Sequence, residues 1–364
     1  MKITPTPPSP VEGEGYREGA FSYKSYLEFS LFYNINSREM KNRKMKKMII
    51  VIAGTSLTIQ MDEAIAFFLT PLKDFFRGFL KPRGPTTARL TLSYNHLVTL
   101  RKFKAFPISL SQKQDRETLR VLRHVEKLYP FSEKPLLIGF LNGVLAYNIH
   151  SQRGHIYLFR SDGKNFILGS LHKLLFLFVA IIMTEQDKLT IHGAGLRVNS
   201  EGHLFLGASG AGKSTVAGQV ERGCVLSDDA PVITQDGRLF TIHASPFSQV
   251  NLFDIKGTHH HRKEAPLTKL IFLNQANHLD LERREKRSAL AELLRDHIHG
   301  FDFMDGDLKT RAFRFCCDLC TSVPAFDLYF QKNNQLFSRI GDQIPLGGGH
   351  TDEYVADAPA EHCP

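Results

Sequence analysis

The 364-residue chain carries 46 Lys and Arg against 37 Asp and Glu, a formal charge of +9, with 42% hydrophobic residues. That content supports a buried core of one or two domains and excludes a wholly disordered chain. Five cysteines, three of them bunched at Cys316, Cys317 and Cys320, do not make a disulfide framework in a chain of this size and suit a reducing cytoplasm.

The basic excess is not one folded patch. Residues 1–50 hold nine Lys and Arg against five Glu, which supplies +4 of the charge. Neither nucleic acid nor a membrane is therefore expected as a partner. The opening MKITPTPPSPVEGEGYREG has no apolar period and cannot bury enough surface to order itself. Residues 1–60 read as a disordered lead or as sequence upstream of the true start, with Met40, Met45, Met48 and Met61 as later starts. The basic-then-apolar stretch ending at residues 48–53 has the outline of a signal peptide, but its apolar part is too short; a first strand is the other reading.

Residues 61–170 read as a small α+β region. TARLTLSYNHLVTL alternates apolar and polar positions, residues 114–129 carry Leu119, Leu122, Val125 and Leu128 at helical spacing, and residues 135–169 read as strands parted by Asn-Gly, Arg-Gly and Asp-Gly turns. The apolar run at 174–183 has ten residues, half of the roughly 20 a bilayer span needs, so it reads as a buried helix.

Beyond it, KLTIHGAGLRV, the turn NSEG and HLFLG predict two antiparallel strands, the second feeding a glycine loop. A short helix follows, then a strand ending in Asp228 and Asp229, a hairpin through QDGR, the strand TKLIFL, amphipathic helices near 288–298 and 308–320, and a last strand AFDLYFQ. Phe326, Leu328 and Phe330 share one face of that strand. Residues 341–364 read as a flexible tail.

The loop comprises Gly207, Ala208, Ser209, Gly210, Ala211, Gly212, Lys213, Ser214 and Thr215. A glycine-rich turn between strand and helix can aim successive N–H groups at an anion, and only glycine adopts the backbone angles required. In such a loop the lysine reaches the β and γ phosphates of a nucleotide and the hydroxyl ligates Mg²⁺. Motor and switch ATPases share the loop, so the next acidic motif discriminates. Asp228 and Asp229 follow Lys213 by only 15 and 16 residues, and adjacent carboxylates can divide labour between metal and acceptor hydroxyl, an arrangement suited to a transferase. His192, on the strand before the loop, is placed to hydrogen-bond Asp228 and tune its basicity if the strands are neighbours.

The run TIHGAGLRVNSEGHLFLGASGAGKSTVAGQVERGCVLSDDAPVI resembles the catalytic core of HPr kinase/phosphorylase and its kinase-like relatives. The resemblance is dense over residues 190–233 and extends by order of elements to about 340. It implies an α/β fold of the phosphoenolpyruvate-carboxykinase-like class with a mixed sheet, forming an ATP-binding catalytic domain over 171–340. It also implies Asp228 as the base that deprotonates a substrate hydroxyl, His192 as its support, Asp229 acting with Ser214 around Mg²⁺, and Lys213 on the phosphates. Members of the family form hexamers, which makes a homo-oligomer one open assembly.

The chain departs from the family where HPr kinases carry an Arg-Gly-Leu-Gly segment. Here the sequence reads HASPFSQVNLFDIKGTHHHRKEAPL, and Ser245, Pro246 and Phe247 resemble the Ser/Thr-Pro-aromatic turn of divergent relatives. HPr is accordingly not the expected substrate. The expectation is an ATP- and Mg²⁺-dependent kinase acting on Ser or Thr of a protein or peptide, with a small-molecule hydroxyl kinase and a non-catalytic nucleotide-binding module as rivals. Arg262 or Lys263 is a further candidate for the γ phosphate. The Cys-x-x-Cys of Cys317 and Cys320 lacks a second pair for zinc, and LERREKR reads as a solvated charged face.

Overall fold

The computed structural model describes residues 45–61, 65, 69–99, 103–107, 135–141, 143–160, 166–220, 224–247 and 263–331. The expected helix at 114–129, the histidine run 259–261 with Arg262, residues 1–44 and the tail at 341–364 lie outside them.

Two mixed sheets make the described part an α/β structure. The first contains β1 Lys46–Ile52, β2 Thr55–Met61, β3 Leu80–Lys81, β4 Ala88–Thr99, β5 Phe103–Pro107, β6 Leu136–Leu141, β7 Gly143–Asn148 and β8 Arg153–Arg160, in the order β3-β1-β2-β4-β8-β7-β6-β5. The β2–β4 and β4–β8 pairs are parallel and the rest antiparallel.

For residues 46–60 this replaces the reading as a lead with the alternative of a first strand. Met48, Ile50 and Ile52 are buried along β1, and Leu57, Ile59 and Met61 along β2, the period-2 pattern of strands with one face on a core. Ala53 and Gly54 join the strands with φ of 46° and 75°, as a two-residue hairpin turn with two left-handed positions requires. Lys46 and Lys47, the described part of the basic flank that gives the segment a signal-like outline, are the exposed start of β1.

Helix α1, Leu69–Phe75, precedes β3, and helix α2, Phe166–Glu185, follows β8. Leu171 and every residue from 174 to 183 are buried in α2, as expected of a helix apolar on all sides. One side lies on the first sheet, where glycines admit it closely. A Cβ at Gly143 would come within 2.7 Å of Leu174, and one at Gly154 within 2.6 Å of Phe178. The other side faces the second half of the chain, where Ala180 would lie 3.6 Å from a Cβ on Gly300. Residue 171, expected to open a separate domain, thus falls inside a helix shared by both layers. Among the described residues no helix is long and apolar enough to cross a membrane.

The second sheet contains β9 Leu189–Thr190, β10 Ala194–Val198, β11 Glu201–Leu206, β12 Val225–Ser227, β13 Val232–Asp236, β14 Leu239–His243, β15 Glu264–Gln275, β16 Asp280–Arg283 and β17 Ala325–Phe330. Its order is β12-β10-β11-β15-β14-β13-β9, with β17 against β15 and β16 against β17. The β10–β11 and β13–β14 hairpins lie where the sequence predicts them. β15 runs parallel to β11 and β17 and antiparallel to β14. Phe205, Val216, Ile271, Leu273, Leu328 and Phe330 belong to one core beneath the loop; Phe326 is only partly buried.

The charged run LERREKR is not simply a solvated face. Its first residues form β16, and Arg284 ion-pairs with Glu292 and, at 2.8 Å, with Asp327, while its guanidinium lies 4.0 Å from the Phe272 ring. Three helices complete this half: α3 Lys213–Gly218, α4 Lys286–Glu292 and α5 Gly306–Ser322. Asp305 caps α5 by accepting a hydrogen bond from the Leu308 amide at 2.9 Å. The helix expected at 288–298 leaves α geometry early, continuing as a π turn over Leu293–His297.

Candidate active site

β11 ends at Leu206, and the chain turns through three glycines in left-handed backbone: Gly207 (φ 152°), Gly210 (80°) and Gly212 (118°). At Gly207 a side chain is excluded twice, because its Cβ would also approach the Ala211 Cβ to 2.8 Å. Gln275, at the end of β15, donates from Nε2 to the Gly210 carbonyl at 2.7 Å and ties the loop tip to the sheet. Lys213 opens α3 with only 8% of its surface exposed, and its Nζ donates to the carbonyls of Gly207 at 2.7 Å and Ala208 at 3.2 Å. Burial pushes its ammonium below the ordinary lysine range, against the opposing pull of Asp229. Ala208, Ser209, Gly210 and Ser214 are exposed, Ala211 and Thr215 half-buried.

The acidic pair separates. Asp228 is buried, with 3% exposure, whereas Asp229 is half-buried. After β12 the Ser227 hydroxyl accepts from the Ala230 amide at 3.0 Å, bending the chain through the pair. Of the two, Asp229 is the one whose charge acts on the loop lysine. The sequence pairs His192 with Asp228; here His192 Nδ1 lies 3.1 Å from Asp229 Oδ1. Burial works to raise the Asp229 carboxyl, but the hydrogen bond from His192 and the Lys213 charge prevail and hold it below the usual range. The carboxylate is therefore ionised at neutral pH.

Sequence reading missed a third segment. The π turn delivers residues 297–299 as an extended strip against His192. The His192 amide donates to the His297 carbonyl at 2.7 Å, the His299 amide to that of Thr190 at 3.0 Å, and Ile191 bridges Ile298. His297 Nδ1 donates to the His192 carbonyl at 2.8 Å. His299 Nε2 donates to the Asp229 carbonyl at 3.3 Å, which also accepts from the Gly193 amide at 3.0 Å. Burial pushes the His299 imidazole down to about 4. The alternation His-Ile-His was the available signal, since an extended segment puts both imidazoles on one side.

α2 adds a basic and aromatic wall. Lys173 Nζ stands 5.3 Å from the Phe176 ring, which meets His299 edge-on at 4.7 Å. Burial lowers the Lys173 ammonium and the charge of Asp229 pulls it back up. Phe247 of the Ser-Pro-Phe turn packs against Phe176 at 5.0 Å and Phe75 at 5.7 Å. Lys263, expected near the phosphates, lies instead 4.8 Å from the Phe79 ring and lines a cavity of about 290 Å³ with His243 and Glu264.

No family model matches the chain, and no curated protein matches it. Among solved structures it is similar to one described as the Hpr(Ser) kinase/phosphatase from Coxiella burnetii, with 11% identity over 43% of this chain and 90% of that one and a TM-score of 0.29.

Proposed function

We propose that the chain is a phosphotransferase that moves the γ-phosphoryl group of ATP, with Mg²⁺, to a hydroxyl, by preference that of Ser or Thr in a protein or peptide. One observation carries the reading: Lys213 at the root of a left-handed glycine loop shares its electrostatic surroundings with the Asp229–His192 pair. A phosphate-gripping cation and an oriented carboxylate are the two parts such a transfer requires.

The loop suits a phosphate, since Gly207 has no room for a side chain and the Ser214 hydroxyl is exposed beside it. Mg²⁺, held through Ser214, would neutralise charge on the phosphate oxygens. Lys213 leaves the Gly207 and Ala208 carbonyls to hold the anion. Asp229 accepts the proton of the acceptor hydroxyl, and His192 Nδ1–H fixes the orientation of that carboxylate. A carboxylate below its ordinary range is a weak base, which suffices where the transition state is loose and positioning dominates.

The test is transfer of label from γ-labelled ATP with Mg²⁺ in a lysate of the source cell, comparing the chain with Lys213→Ala and Asp229→Asn. Label on a defined protein or peptide, lost in both variants, is the expected result. Label on a metabolite would change the acceptor class. Tight nucleotide binding with no transfer to anything would replace a kinase with a nucleotide-binding regulatory module.

A further inference from the structure

We propose that His192, Asp229 and His299 together bind a divalent transition-metal ion of the Zn²⁺ class. One ligand atom from each lies within 4.8 Å of the other two, a separation that small side-chain rotations close to the spacing of ligands around one ion. The backbone beneath them is cross-tied: His192 and His299 belong to the paired segments joined at Ile191 and Ile298, and the Asp229 carbonyl accepts from both Gly193 and His299. The three ligands are thus held by the fold before any ion arrives.

The donor set selects the ion. Mg²⁺ prefers oxygen ligands and keeps several waters, whereas imidazole suits zinc and its transition-metal neighbours. Two imidazoles and one carboxylate leave a fourth position open for water. The hydrogen bond of His299 matches that of metal-binding histidines, which usually donate their second nitrogen to a carbonyl or carboxylate. A carbonyl can only accept, so the bond to Asp229 places the proton of a neutral His299 on Nε2 and leaves the lone pair on Nδ1. The His192 and Asp229 side chains are 31% and 26% exposed, which gives an ion access. On binding, the ion displaces the proton that His192 Nδ1 shares with Asp229, and exchange through solvent puts a proton on Nε2, so the ligating imidazole stays neutral.

Binding itself does not depend on phosphoryl transfer. One consequence does rest on the proposed function: an ion on Asp229 removes the acceptor of the hydroxyl proton, so Zn²⁺ would inhibit where Mg²⁺ supports.

The experiment uses the full chain, stripped with a chelator and titrated with Co²⁺ in the absence of nucleotide. The visible absorption of tetrahedral cobalt is the readout, followed by displacement with Zn²⁺. One equivalent is expected, with affinity at least tenfold weaker in His299→Ala and in the milder His299→Gln, each checked for a native thermal melt. Zn²⁺ should also raise the Tm of the unaltered chain and not that of either variant. Three outcomes would overturn the proposal: no cobalt band, a band unchanged in folded His299 variants, or a band lost only when His259, His260 and His261 are all replaced by alanine. Absence of label transfer by the unaltered chain would sink the kinase reading and leave the cobalt result standing.

Discussion

Inside the first sheet His155 lies flat on Tyr157, ring centroids 3.8 Å apart, and its Nε2 meets the Ser93 hydroxyl at 2.7 Å. At the loop end of the second sheet, half-exposed His192 turns toward the Asp229 carboxylate and half-exposed His299 toward that residue's carbonyl. Residue type is the same; the surroundings differ. Burial drives the His155 imidazole down to about 3 and makes it a packing group. The Tyr147–Glu185 pair of the same layer is similar, a carboxyl raised to about 7 chiefly by burial. Asp229 is also desolvated, yet its partners pull it the other way. A buried titratable group marks a site when its partners keep it charged and solvent can still reach it.

The largest effects should fall at the loop end. Lys213→Ala and Asp229→Asn are expected to lower label transfer by roughly 10²–10⁴-fold with native melts. Asp228→Asn should instead act through stability and lower the Tm; a catalytic loss confined to Asp228→Asn would reverse the assignment of the two carboxylates.

Next in size is acid destabilisation from buried imidazoles, one in each sheet. His155 and His203 titrate near 3 and 4 in the folded chain against about 6.5 unfolded. The unfolded state therefore binds the extra protons, and stability present above pH 6.5 drains away as pH falls through 6.5 toward 4. Melts across that window should show the fall, and His203→Gln should flatten it. An equal slope in the variant would exclude His203 as a source of the fall.

Smaller still is Gly154→Ala, whose new methyl meets Phe178 at 2.6 Å and Leu90 at 2.9 Å. Overpacking of this kind costs about 1–3 kcal/mol, read by urea unfolding, with ligand binding at the loop unaffected. Asp305→Ala, which removes the α5 cap, should cost about 1 kcal/mol.

What the sequence revealed followed from local rules. The glycine loop, both hairpins of the second sheet and α2 are written in turn residues and apolar periods that act within a dozen positions. β1 and β2 were obscured because a basic flank beside a short apolar run has the same outline as a leader. β16 and the pairing of Arg284 with Asp327 depend on a strand more than forty residues away, and no local pattern announces such a partner. That His192 meets Asp229 was invisible for the opposite reason: the chain bends just after Ser227, a matter of one residue's direction.

The π turn at Leu293–His297 gives that point a further reach. Each residue of an α-helix advances the chain by about 100°, and a π turn accommodates one more residue than the helical pattern requires. His299 therefore faces Asp229 by count rather than by chemistry. A one-residue deletion in that turn, leaving every imidazole and carboxylate in the sequence, would swing the His-Ile-His strip away from its partners. Conservative substitution would be tolerated there far better than a change of length, so divergence of this site should leave its trace in gaps before it does in letters.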